Sequence, residues 1–187
     1  MSLLRIAAVL AACGLAGCGS VPTSVTALTA AQLAEPARGT VVLSTSAAER
    51  CTALGMWAPI YDAATHKLAA GTPVVPIDEH SDSDYPDHYG TLSALSLPPG
   101  RYLMTVEATN PGYADIETPS FAFEVLAGRT LYLGDLVRVN ACAKASRYVV
   151  ADHYDVDVAL AIKRNPALAA RSPERALMTF AHPTAAR

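Results

Sequence analysis

The densest group of side chains that could bind a metal ion or move protons lies between residues 78 and 88. This stretch carries five acids and two histidines in eleven residues. Carboxylate oxygens suit calcium, and histidine with aspartate suits zinc or copper, so the candidate ligands are His80, Asp82, Asp84 and His88. The stretch lacks the glycine and the terminal glutamate of an EF-hand loop. Dense like charge with serine and proline is more typical of a solvated loop, so we assign no metal and no cofactor.

The motifs of the common enzyme classes are missing from the sequence. It contains no G-x-S-x-G, H-E-x-x-H or C-x-x-C motif and no glycine-rich phosphate loop. Asp152, His153 and Asp155 are close in sequence, but a capping aspartate and a surface histidine account for them. Asp135 alternates with Leu133 along a predicted strand, so we expect it to be partly buried, to need hydrogen-bond partners and to be structural. The sequence therefore predicts a protein that is not an enzyme.

Two aromatic residues are candidates for a recognition surface. Trp57 and Tyr61 share a face of a predicted strand over residues 56–62. Such side chains could bind a sugar or a peptide, although aromatic residues at alternate strand positions more often fill a core.

The first eighteen residues have the layout of a bacterial lipoprotein signal. Arg5 is the only early charge, and the apolar run of about 14 residues that follows is shorter than the roughly 20 needed to cross a bilayer. Both Cys13 and Cys18 follow small residues in the pattern of a lipidation site. Only cleavage before Cys18 leaves a signal core of about 10 apolar residues, which is a typical length. We therefore predict a signal peptide over residues 1–17 and lipidation of Cys18.

Cysteine parity gives the same answer. The chain has four cysteines, and removing Cys13 and lipidating Cys18 leaves Cys51 and Cys142. Export would place this pair in an oxidising compartment, where disulfides persist. We expect a Cys51–Cys142 disulfide, worth on the order of 4 kcal/mol for a loop of about 90 residues. Two separate buried thiols are the alternative.

Composition limits the partners and the number of domains. The formal net charge is −3, and no basic cluster is longer than Lys163-Arg164, so we expect no nucleic-acid partner. About 170 residues remain after the signal, which is enough for one domain. Residues 18–39 are rich in alanine and contain Pro36, a composition that suits a lipidated tether or a partly ordered arm.

Residues 40–152 have the pattern of an antiparallel β-sandwich. Tyr102, Met104 and Val106 alternate with polar residues, as in a half-buried strand, and residues 121–125 repeat this alternation. Residues 131–139 form a longer predicted strand, interrupted by Gly134-Asp135. Turn residues separate these segments at the spacing of a sandwich.

The last part of the chain, residues 153–187, is predicted to be a short helical extension. Asp152 could cap a helix over residues 154–164 that Pro166 ends. Ser172-Pro173-Glu174 has the pattern of a helix start, which predicts a second helix over residues 173–180.

One segment resembles a known family. The matching residues are LPPGRY at 97–102, then Met104 and Val106, Gly112-Tyr113, Phe123 and Ala127-Gly128-Arg129. This series is similar to the turn and strands of carboxypeptidase-regulatory-like domains, which are transthyretin-like β-sandwiches. The resemblance implies a domain of extracellular and periplasmic proteins that has no catalytic residues of its own. With the lipidation motif and Tyr132-Leu133-Gly134-Asp135, the chain further resembles small proteobacterial lipoproteins of unknown function.

Together these features predict a non-enzymatic lipoprotein of the outer membrane that faces the periplasm. Gly19, rather than an aspartate, follows the lipidated cysteine, and in Gram-negative bacteria this fits release to the outer membrane, as the family resemblance implies. We expect the membrane to be contacted through the lipid, and an envelope protein or a glycan to be the partner of the sandwich. The alternatives are a metal-binding or hydrolytic protein that uses residues 78–88, and a glycan or small-ligand binder that uses Trp57.

Overall fold

A computed structural model of the chain describes residues 25–47, 56–74, 83–108, 119–140 and 147–181. The strands are β1 (Gly39–Ala47), β2 (Met56–Asp62), β3 (Leu68–Val74), β4 (Tyr89–Leu97), β5 (Gly100–Thr105), β6 (Glu107–Ala108), β7 (Ser120–Val125), β8 (Thr130–Val139), β9 (Arg147–Ala151), β10 (Glu174–Arg175) and β11 (Thr179–Ala181). The helices are α1 (Ala30–Ala34) and α2 (Tyr154–Arg164), with 3-10 helices at Val25–Ala27 and Pro166–Arg171.

The strands form two sheets that pack face to face. In sheet A, β1 lies between β4, to which it is antiparallel, and β8, to which it is parallel. The far edge of β8 is shared by β9 and β10. Sheet B has the order β11-β7-β5-β2-β3, and β6 extends it beside β2. The predicted mainly β sandwich with a short C-terminal helix is therefore confirmed.

The main core lies between the two sheets. Tyr102, Met104 and Val106 are all at most 2% exposed and pack in this core, as their alternation predicts. They meet apolar residues of sheet A such as Leu43 and Leu133.

A second core lies on the opposite face of sheet A. There Val42 and Tyr132 belong to one apolar cluster with Val158 of α2 and Leu33 of α1. A capping box between Thr29 and Gln32 begins α1. From residue 25 onward the described chain thus packs on the sandwich.

The C-terminal segment differs from its prediction. Residues 154–164 are helical as expected, but the predicted helix over 173–180 is wrong. Residues 173–181, which we term the strap, run extended from sheet A to sheet B. Ala176 and Met178 donate backbone hydrogen bonds to the carbonyls of Tyr132 and Leu133, and Met178 is buried in the main core. Pairing with the open edges of β8 and β7 outweighs the local helix-start signal.

Several predictions fall outside the described residues. These are the signal peptide, all four cysteines, and the candidate ligands His80 and Asp82. Within the described ranges, no helix is long and apolar enough to cross a bilayer.

Candidate functional site

A buried polar cluster lies where α2 meets sheet A. Its centre is Asp157, which is 1% exposed. Tyr85 Oη donates to Asp157 Oδ1 at 2.6 Å. Ser44 Oγ and Tyr132 Oη donate to Oδ2 at 2.6 and 2.7 Å. One carboxylate therefore joins α2 to β1, to β8 and to the loop before β4.

A second buried carboxylate, Asp135, extends this cluster. Its Oδ2 accepts a hydrogen bond from Ser46 Oγ at 2.6 Å and lies 3.1 Å from His153 Nδ1. Its Oδ1 has no hydrogen-bond partner among the described residues. The predicted need for partners is thus met at one oxygen only.

The face on which Asp135 lies corrects a prediction. Simple alternation places Asp135 on the same side of the strand as Leu133, but Leu133 points into the main core. A β-bulge intervenes: β1 advances from Val42 to Ser44 while β8 advances three residues, from Tyr132 to Asp135. Gly134, with φ +98°, is the extra residue. The bulge turns Asp135 toward the serines of β1 and toward α2.

Burial sets the protonation of this cluster. Desolvation is the largest cause of a raised pKa at Asp135, and the charge of Asp157 raises it further. Burial and the neighbouring carboxylate of Asp157 hold the pKa of Tyr85 and of Tyr132 far above the usual value of a phenol. Both tyrosines therefore remain protonated and act as hydrogen-bond donors.

The geometry of the cluster does not match a serine-based catalytic site. In a catalytic triad the histidine stands between the serine and the aspartate, so that it can take the hydroxyl proton. Here Asp135 lies between Ser46 and His153, and Ser46 is only 3% exposed. The side chain of His153 is 49% exposed. The arrangement fits elements that are held together rather than a nucleophile and its base.

The described part of the acidic loop is tied to the fold by its own side chains. Asp84 accepts a hydrogen bond from the backbone N–H of Leu92 and forms an ion pair with Arg164 of α2. His88 stacks on Tyr85, with ring centroids 4.4 Å apart, and its Nδ1 lies 2.7 Å from Asp87 Oδ1. The side chains of Asp84 and His88 thus have separate partners, and the described residues contain no group of three or more side chains that could hold a metal ion.

Trp57 and Tyr61 lie on the face of sheet B that is turned away from sheet A. The intervening Ala58 and Ile60 are fully buried in the main core, whereas both aromatic residues are partly exposed. They therefore do not fill the core between the sheets. The indole of Trp57 lies across Gly71, where a Cβ would be only 2.3 Å from Nε1.

A carboxylate that the sequence did not single out accompanies these aromatic residues. Glu107 is the direct cross-strand partner of Trp57. Tyr61 Oη and Thr105 Oγ1 both donate to Glu107 Oε1, each at 3.0 Å. Burial, the hydrogen bond to Glu107 and its charge raise the pKa of Tyr61, so the phenol remains a donor. We refer to Trp57, Tyr61, Thr105 and Glu107 as the Trp57 face.

Two hollows flank Arg101 elsewhere on sheet B. One, of about 510 Å³, lies between β7 and the strap, and the other, of about 640 Å³, lies beside the turn at residues 62–64. The strap charges at the first hollow are already matched, because Glu174 pairs with Arg129 and Arg175 pairs with Asp152.

Sequence reasoning missed most of these partners. Ser44 and Asp157 are 113 residues apart, and no local pattern connects them. The available signal for this cluster was a pair of serines, Ser44 and Ser46, at alternate positions of an otherwise apolar strand. Thr105 and Glu107 are the polar residues that alternate with Met104 and Val106, and that pattern predicts only that they lie on the solvent side of a strand.

No protein-family model matches the chain, and no curated protein is significantly similar to it.

Proposed function

We propose that this chain is a lipid-anchored protein of the outer membrane whose β-sandwich binds a partner at the cell envelope without catalysing a reaction. The observation that carries the binding role is the Trp57 face, where two partly exposed aromatic side chains share a sheet face with an oriented carboxylate. Large aromatic residues with one wet end are typical of recognition surfaces.

Two further features support a binding role over a catalytic one. The Asp157 cluster is buried, and its hydroxyl groups donate to carboxylates that join separate elements. The resemblance at residues 97–102 also implies a sandwich that serves as a module without catalytic residues of its own. As proposed, Cys18 carries the lipid, Cys51 and Cys142 form a disulfide, and the domain faces the periplasm.

Site-specific photocrosslinking in cell envelopes tests the binding role. A photoreactive residue in place of Tyr61 should give a discrete adduct that is lost in Trp57→Ala. The matched control position is Val149, which is 38% exposed on β9 of the other sheet. Adducts that are identical at both positions, or unaffected by Trp57→Ala, contradict a recognition role for this face.

The mass of the mature protein under non-reducing conditions tests the anchor. We expect a triacyl adduct on Cys18 and no free thiol. One alkylatable cysteine contradicts the disulfide, and an unmodified N-terminus contradicts the anchor.

Calorimetry tests the metal-binding alternative. Tight stoichiometric binding of calcium, zinc or copper, lost in His80→Ala or Asp84→Ala, would favour that alternative over our proposal.

A further inference from the structure

We infer that the Trp57 face binds a cationic group, the guanidinium or ammonium of a basic side chain on a partner protein. The inference rests on the proposed function, because it specifies the chemistry of the partner that the sandwich binds.

The carboxylate of Glu107 is oriented by hydrogen bonds to only one of its two oxygens among the described residues. Its Oε1 accepts hydrogen bonds from both Tyr61 and Thr105, which fixes the direction of the carboxylate. Its Oε2 has no hydrogen-bond or ion-pair partner among the described residues. Both donors are neutral, and among the described residues no cation pairs with the partly exposed Glu107. This is the position at which an arginine or a lysine from outside would find an acceptor.

The aromatic side chains favour the same kind of ligand. Trp57 and Glu107 are directly opposed on neighbouring strands, so their Cβ atoms are about 5 Å apart. The face of an aromatic ring is electronegative and attracts cations within about 6 Å, tryptophan most strongly. Close packing on Gly71 fixes the indole against the sheet. Gly71 lies on β3 and Glu107 on β6, the strands on either side of β2, so a guanidinium would lie over β2 between the ring and the carboxylate.

Charge complementarity separates this ligand from a neutral sugar. A pyranose could also stack on the indole and donate a hydroxyl to Oε2, but it would leave the negative charge unmatched. A buried or half-buried charge without a partner opposes binding, whereas a cation neutralises it. The face therefore fits a basic side chain better than a glycan.

The experiment uses Trp57 as its own reporter, because it is the only tryptophan of the chain. The full chain is titrated with a blocked Gly-Arg-Gly peptide, with its lysine and citrulline analogues, and with a neutral disaccharide, while tryptophan emission is recorded. We expect a saturable change with the arginine or lysine peptide and affinity at least about tenfold weaker for citrulline, which is isosteric and uncharged. Binding should weaken as salt rises.

Variants locate the effect. Glu107→Gln keeps an acceptor for Tyr61 and Thr105 but removes the charge, so affinity for the arginine peptide should fall about tenfold. Glu124→Gln, an exposed position of sheet B, is the matched control and should leave affinity unchanged. The arginine–citrulline comparison and the salt dependence require no variant, so they hold even where a substitution impairs folding.

Three outcomes overturn the inference: equal affinity for arginine and citrulline, saturation by the disaccharide alone, or no response to any peptide. If photocrosslinking at position 61 still gives a Trp57-dependent adduct, the binding role survives and only the cationic chemistry is wrong. If both experiments fail, the proposed function fails with it.

Discussion

At the scale of single residues, Asp157 links more segments of the chain than Asp135, the other carboxylate of its cluster. Its carboxylate accepts hydrogen bonds from the hydroxyl groups of Ser44, Tyr85 and Tyr132, which lie on three separate segments. Removing a buried acceptor leaves its donors unsatisfied, at a cost of about 1 to 3 kcal/mol for each group. We expect Asp157→Ala to lower the free energy of unfolding by about 3 kcal/mol or more in urea titrations.

Asp155 provides the control for this substitution. It lies two residues away on the same helix, but its side chain is 92% exposed. Asp155→Ala should change the free energy of unfolding by no more than about 0.5 kcal/mol. Equal effects of the two substitutions would show that the buried hydrogen bonds contribute nothing.

Asp135 should make stability depend on pH. Burial and the charge of Asp157 raise its pKa in the folded protein, so folding favours the protonated carboxyl. The stability that this proton provides is fully present below the unfolded pKa of about 3.9 and is lost as pH rises through the folded value. Asp135→Asn cannot ionise, so relative to the wild type its free energy of unfolding should improve as pH rises above about 4.

Urea titrations of both proteins between acidic and neutral pH measure this difference. Parallel curves of unfolding free energy against pH would contradict an Asp135 pKa raised by burial.

Sequence reasoning at this scale found single residues but not their partners. Asp135 was expected to need hydrogen bonds because a charged residue stood in an apolar strand. Ser46 is 89 residues away, and the pairing of β1 with β8 that brings the two together leaves no local trace. Glu107 was seen only as a polar residue, because its relation to Trp57 depends on the pairing of β2 with β6.

At the scale of elements, the bulge at Gly134 determines which side of β8 faces α2. A Cβ at this position would lie 2.6 Å from Val150 Cγ1 and 3.1 Å from the carbonyl oxygen of Ala151, and φ is +98°. Gly134→Ala should therefore cost about 2 kcal/mol or more of unfolding free energy, from backbone strain and crowding together.

Gly128→Ala separates these two causes. Gly128 also has positive φ, +69°, but its nearest neighbour is a backbone oxygen 3.7 Å away. Backbone strain alone predicts a cost of about 1 kcal/mol for this change. Chemical denaturation of both variants measures the difference, and an equal loss would mean that crowding at the bulge is negligible.

The strap offers a test of strand against helix. Met178 is buried and Leu177 is 38% exposed, as expected for adjacent residues of an extended segment. Met178→Ala should cost about 2 to 5 kcal/mol of unfolding free energy. Leu177→Ala should cost less than about 1 kcal/mol, because most surface substitutions are mild. Comparable losses in the same denaturation assay would contradict the alternation.

Elements with a strong local pattern were predicted correctly, and the strap was not. The alternation from Tyr102 to Val106 and the helical spacing of residues 154–164 are properties of the chain itself. Ser172-Pro173-Glu174 carries an equally clear signal for a helix start, but the segment instead completes the edges of two sheets. A long-range pairing decided this element, and single-sequence reasoning had no access to it.

At the scale of the whole molecule, β8 receives partners from opposite ends of the described chain. β1 lies along one side of it and β10 along part of the other, at residues 39–47 and 174–175. We expect a variant that ends at Arg171 to lose its cooperative unfolding transition, because the edge of β8 and the site of Met178 are then open to water. Circular dichroism in urea checks this.

A variant that ends at Ala181 is the control, since it keeps the strap complete. It should retain a single cooperative transition in urea. A full transition in the chain ending at Arg171 would show that the strap is dispensable.

The position of the strap also sets an order in time. Because residues 173–181 pair with both sheets, an emerging chain cannot complete the sandwich until these residues are free. Long-range closure of this kind is slow. The strap therefore joins the native state late, after the strands that it pairs with have already been synthesised.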